Sequence, residues 1–220
     1  NLSDLTFLPK AGFTGSVQIG YEGTDSRGKT FRGQIRIQVN QGSGSRYFQD
    51  MGSYAWAAPY VDLLYEAGVI TGIGGQRYRP ADAVSRGDFM LMLYRAFQLT
   101  PASGAGFPDV PPGSYYAQAI QAARAAGIAS GYPDGGFHPQ EPVTRQDAMV
   151  LLERTMQATG WSLGAANTGY LSGFRDGGMV APYAQEAMSH MIEYGIITGT
   201  PEGMLNPRSN MTRAEMAVVL

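Results

Sequence analysis

Three dipeptides carry the chemistry open to this chain: Ser85–Arg86, Thr144–Arg145 and Thr212–Arg213. An acid follows each arginine by two positions, at Asp88, Asp147 and Glu215. A guanidinium is a permanent cation whose planar fork of donors matches a carboxylate. A nearby carboxylate of the chain, or water, would serve it equally well. The flanking residues read as helix caps: a hydroxyl at the N-cap, an acid three positions on, then apolar residues at helical spacing. A helix N-terminus carries partial positive charge, so a cation at its first position is unfavourable there. An anionic ligand at the same place would convert that cost into affinity, because free N–H groups and guanidinium both attract negative charge.

Other chemistries find little support. His138 and His190 fall at positions with no counterpart elsewhere in the chain, which argues against a general base or a metal ligand. The stretch YPDGG at 132–136 lacks the spaced carboxylates of a calcium loop and reads as a turn. The acids recur three times at cap positions, whereas a glycosidase needs one asymmetric pair. The absence of cysteine excludes disulfides, thiolate nucleophiles and cysteine-held metals. A net charge of -2 gives no pull toward nucleic acid. No apolar run approaches the ~20 residues of a membrane helix. No cofactor, metal, nucleic acid or membrane insertion is expected.

The elements that position the arginines repeat. Phe-x-Asp ends at Asp50, Asp109 and Asp176; an aromatic follows at Trp56, Tyr115 and Tyr183. Glycines stand at Gly68, Gly127 and Gly195 and again at Gly72, Gly131 and Gly199; prolines stand at Pro80, Pro139 and Pro207. From the first glycine to the arginine is 18 residues in all three copies. Each unit reads as helix, glycine-stopped turn, extended loop and capped helix. Residues 1–40 differ: Val17, Ile19 and Tyr21, then Phe31, Ile35, Ile37 and Val39, alternate with polar residues around a TDSRGK turn, a β-hairpin pattern. QGSGS at 41–45 reads as a flexible linker. The chain starts at Asn1 and stops within a helical pattern, as a piece of a longer polypeptide with its parent upstream would.

Phe-x-Asp, the aromatic before an Ala-rich helix, GIITG, F-x-P and TRAE together resemble the S-layer homology repeat, in three copies over about 46–220. TRAE at 212–215 is verbatim, while TRQD and SRGD are variants, and Gly87 in the latter weakens a helix start. The β segment is loosely similar to bacterial cadherin-like or tandem β-repeats. The resemblance implies a mainly α fold in which three helix-loop-helix repeats form one pseudo-threefold unit. The expected layout is the end of a β-sandwich-like domain at 1–40, a linker at 41–45, and repeats at 46–100, 105–160 and 169–220, the last helix truncated. The resemblance further implies non-covalent anchoring of an exported, extracellular protein to the cell wall. The ligand would be a secondary cell wall polymer ending in N-acetylmannosamine with a pyruvate ketal, bound in grooves lined by Arg86, Arg145 and Arg213. The alternatives are an assembly module without a carbohydrate ligand, and an anchor for an upstream carbohydrate-active enzyme.

The remaining candidates keep two readings each. Ser85, Thr144 and Thr212 are N-caps or ligand contacts. Asp50, Asp109 and Asp176 cap the first helix or bond sugar hydroxyls. Trp56, Tyr115 and Tyr183 fill the core or form sugar platforms. Gly72, Gly131 and Gly199 serve turns or let sugar approach the backbone.

Overall fold

The computed structural model describes residues 15–24, 28–39, 44–104 and 106–220. Strands β1 (Gly15–Thr24) and β2 (Thr30–Val39) form an antiparallel hairpin, with Val17 opposite Ile37 and Ile19 opposite Ile35. That is the register the alternation demands, since a one-residue slip would reverse every side chain. Among the described residues no further strand joins this pair. The linker falls mainly outside the described residues, but its last residue is not loose. The Ser45 hydroxyl donates to Asp62 and accepts the N–H groups of Tyr47 and Phe48, each at 3.0 Å, so it fixes the entry to the first repeat.

Among the described residues six α-helices follow: α1 (Ala58–Glu66), α2 (Arg86–Ala96), α3 (Ala117–Ala125), α4 (Arg145–Ala158), α5 (Gln185–Glu193) and α6 (Arg213–Val219). Gly68, Gly127 and Gly195 end α1, α3 and α5 with φ of 69°, 73° and 69°, the left-handed turn that glycine takes without strain. Ser85, Thr144 and Thr212 start α2, α4 and α6 as N-caps, each accepting the N–H three residues on. Thr212 and Glu215 complete a reciprocal capping box.

The main helix pairs run between repeats: α2 packs on α3, α4 on α5, and α6 returns to α1. A ring therefore closes. At its axis the Val84 N–H donates to Met211 O at 2.9 Å, Met211 N–H to Val143 O at 3.0 Å, and Val143 N–H to Val84 O at 2.9 Å. All three residues are buried, so these backbone groups need protein partners, and each segment finds them on the other two. One apolar core runs beneath, from Phe48 to Ala217.

Candidate functional site

The arginines stand at the first position of α2, α4 and α6, around the axis. The N–H groups there are not free. Arg86 N–H donates to Glu141 O, Arg145 N–H to Ser209 O and Arg213 N–H to Asp82 O, at 2.8–2.9 Å. The next N–H in each helix donates to Pro139, Pro207 or Pro80 O, and the third to the N-cap hydroxyl. Thus the proline loop of the next repeat caps each helix, and the expectation of exposed N–H donors fails. The arginine side chains extend from these filled helix ends, and those of Arg86 and Arg145 are largely covered.

Two grooves share one plan. In one, Arg86 of the first repeat faces residues 129–132 and the α4 side chains Asp147 and Arg154 of the second, with Tyr183 of the third closing the edge; its volume is about 310 Å³. In the other, Arg145 faces residues 196–200 and Glu215 of the third repeat, with Trp56 of the first at the edge; its volume is about 230 Å³. Cavities of this order admit a small ligand such as a sugar residue. The hairpin lines neither.

The three guanidiniums differ. Arg86 Nε donates to Phe137 O at 3.1 Å, and the group stacks on Tyr132 and Phe137 at 4.7 and 4.9 Å, with Asp147 at 3.9 Å. Arg213 Nε donates to Tyr78 O at 2.7 Å and Nη2 to Thr71 O at 3.0 Å, over the Tyr78 ring at 4.4 Å. Among the described residues Arg145 Nε is buried without a hydrogen-bond partner; a carboxylate oxygen of Glu215 lies 3.7 Å from Nη1. Burial pulls the Arg145 pKa down against that carboxylate. The arginines are therefore stitched into the ring, Arg213 most and Arg145 least.

The Phe-x-Asp acids do not take the helix-cap role. Asp50 accepts the N–H groups of Tyr78 and Arg79, Asp109 those of Phe137 and His138, and Asp176 those of Leu205 and Asn206, at 2.7–3.1 Å. The second residue of each pair has positive φ (58°, 60° and 52°), which turns consecutive N–H groups to one side and makes an anion nest. These acids staple their own repeat's loop and cap no helix. Burial pushes the Asp50 and Asp109 carboxyls up, but the backbone N–H bonds outweigh it and hold both below the usual range.

Trp56, Tyr115 and Tyr183 are not core residues: they are 36%, 68% and 59% exposed. Tyr183 OH donates to Asp147 and Tyr115 OH to Asp88, each at 2.7 Å, tying a cap acid to the repeat beyond. Burial, then the carboxylate, raises both phenols to about 12. Gly131 and Gly199 line grooves, but packing requires them as well: a Cβ would sit 2.5 Å from Phe107 or Phe174 at φ of 77° or 74°. Gly72 meets Phe48 in the same way at 2.6 Å. Gly87 is a close contact, 3.0 Å from Pro139 O at a Cβ position, and α2 forms normally across it. Sequence reasoning missed Arg154 and Tyr132. Arg154 stands nine residues after Arg145 as Arg95 does after Arg86, a repeat signal that was available; Tyr132 has no counterpart, with Ile73 and Thr200 at its register.

Residues 47–90, 106–149 and 173–217 match the model of the S-layer homology domain. The chain is 30% identical over 173 residues to an endoglucanase of Bacillus sp., covering 79% of this chain and 18% of that protein. It is 30% identical over 175 residues to the surface-layer 125 kDa protein of Lysinibacillus sphaericus, covering 78% and 14%. It is 43% identical over 53 residues to the outer membrane protein SlpA of Thermus thermophilus, covering 24% and 6%. The chain thus spans less than a fifth of each of these relatives.

Proposed function

The chain belongs to the S-layer homology family of cell-wall anchoring domains, and from that premise we propose that its inter-repeat grooves bind a secondary polymer of the bacterial cell wall. The family's place is outside the membrane, at the cell surface, and no helix among the described residues is long and apolar enough to cross a membrane. Binding would hold a larger surface polypeptide on the wall without a covalent bond. The observation that carries this reading is the shared groove plan: an arginine from one repeat, a glycine loop from the next and an aromatic edge from the third. Cations, hydroxyls and exposed aromatic faces are what an anionic glycan requires. The finer ligand is the polymer's terminal N-acetylmannosamine carrying a pyruvate ketal.

A second reading concerns the cargo. Relatives named endoglucanase and amylopullulanase share this part and extend far beyond it. An upstream carbohydrate-active enzyme held at the wall is consistent with that, the matched part supplying the anchor and no chemistry.

Co-sedimentation with purified wall sacculi tests the reading. The chain should pellet with sacculi that retain the polymer and stay in solution once the polymer has been extracted. Equal pelleting with both preparations would mean that something other than the polymer is bound.

A further inference from the structure

The two grooves share a plan but not a lining. The Arg86 groove holds two guanidiniums, Arg86 and Arg154, against one carboxylate, Asp147. That carboxylate is already engaged, taking the Tyr183 hydroxyl on one oxygen at 2.7 Å and facing Arg86 at 3.9 Å with the other. Arg86 is held in one orientation by the Phe137 carbonyl and two rings, and among the described residues neither of its terminal nitrogens has a hydrogen-bond partner. Arg154 commits one terminal nitrogen to Ile128 O at 3.3 Å. A cation whose plane is fixed in advance loses little freedom on taking a bidentate anion.

The Arg145 groove balances one guanidinium against one carboxylate, Glu215. The rest of its polar lining is neutral: Thr198, Thr200, Asn206, Ser209 and Asn210, with the Trp56 ring alongside. Amides and hydroxyls next to an indole face suit uncharged sugar, whose hydroxyl and acetamido groups both donate and accept. The third arginine offers little to an anion, since Nε and Nη2 of Arg213 are taken by the Tyr78 and Thr71 carbonyls.

We propose that the grooves divide the ligand by charge: the Arg86–Arg154 groove takes a carboxylate-bearing sugar, and the Arg145–Trp56 groove takes an uncharged one. This rests on the wall-polymer reading above. It makes Arg154 of the second repeat a determinant of anion preference, and it makes the two grooves seats for unlike sugars of one polymer.

The test is calorimetric titration of the whole chain with two probes, the methyl glycoside of N-acetylmannosamine with and without a 4,6-pyruvate ketal. The unsubstituted chain should prefer the ketal form at least about tenfold. Arg154→Gln should reduce that preference below about threefold with the melting temperature nearly intact, because the side chain makes a single long carbonyl bond. Arg86→Gln should do the same where it folds. Arg145→Gln should weaken the uncharged sugar and leave the ketal preference in place. The division is overturned if Arg145→Gln abolishes the preference while Arg154→Gln keeps it, or if the unsubstituted chain shows none. A chain that pellets with polymer-bearing walls but binds neither sugar refutes this proposal alone. A chain that does neither refutes the wall-binding reading beneath it.

Discussion

Replacing the three Phe-x-Asp carboxylates one at a time should give unequal penalties although their bonds are alike. Asp176 is 4% exposed and accepts Leu205 and Asn206 N–H at 2.7 Å each. In Asp176→Ala the Leu205 N–H loses its acceptor in a buried place, and the Asn206 N–H loses its own in a part-buried one. A lost bond to a charged group costs about 1.5–3 kcal/mol, and a stranded buried donor about 1–3 kcal/mol. Two donors in one nest share much of that cost, so about 3–5 kcal/mol is expected. For a chain of this size that is roughly 6–20 °C in Tm. Asp109 makes the same bonds on an exposed surface, where water replaces the lost acceptor; about 1 kcal/mol is expected. Asp50, half-buried, falls between. Urea unfolding followed by near-ultraviolet circular dichroism, with no sugar present, gives the three values. Equal penalties, or an Asp176→Ala change within about 0.5 kcal/mol of the parent, would refute the loop-staple role and return these acids to the ligand side.

Gly131→Ala and Gly199→Ala should each lose about 2–4 kcal/mol, combining a left-handed backbone with a methyl 2.5 Å from a phenylalanine ring; chemical unfolding reads it directly. Stability should also depend on pH at both ends. The Asp50 and Asp109 carboxyls lie below their unfolded values, so their contribution is complete above about pH 4 and fades as pH falls through the lowered folded values. His138 is raised by Glu141 and then Asp134, so its contribution is complete below about pH 6.5 and fades as pH rises through the raised folded value. Melting curves from pH 2 to 9 should therefore fall off on the acid side and soften above neutrality, and a flat profile below pH 4 would contradict the carboxylate assignment.

The repeat register made much of this fold legible before any coordinates. The hydroxyl caps, the glycine stops and the hairpin register all follow from local rules, and each stands where those rules put it. What the register could not show was who pairs with whom. Nothing in α2 states that its partner is α3 of the next unit. Without that, Arg86, Arg145 and Arg213 read as cations on open helix ends. With it, Arg213 is seen bonding two carbonyls of the first repeat, so its loss should weaken the fold as well as any groove. The loop-stapling bonds of the Phe-x-Asp acids were hidden for a related reason: their partners lie 28–30 residues downstream, beyond the reach of capping rules. Trp56, Tyr115 and Tyr183 were ambiguous because an aromatic at a helix start is equally apt for core and rim, and only the closed ring sets them at a rim.

That ring also decides how such a unit can be counted. In a linear solenoid each added repeat finds a free end to stack on, and stability grows with number. Here the last face is occupied by the first repeat, so a fourth copy would have nowhere to dock, and deleting one would strand two faces. Closure also has an entropic side. Arg86 meets Phe137 across 51 residues of chain, whereas Tyr78 meets Arg213 across 135. By the logarithm of loop length, the longer closure costs about 0.9 kcal/mol more. The junction of first and third repeats should thus be the last to form and the first to open, a seam in an otherwise uniform circle.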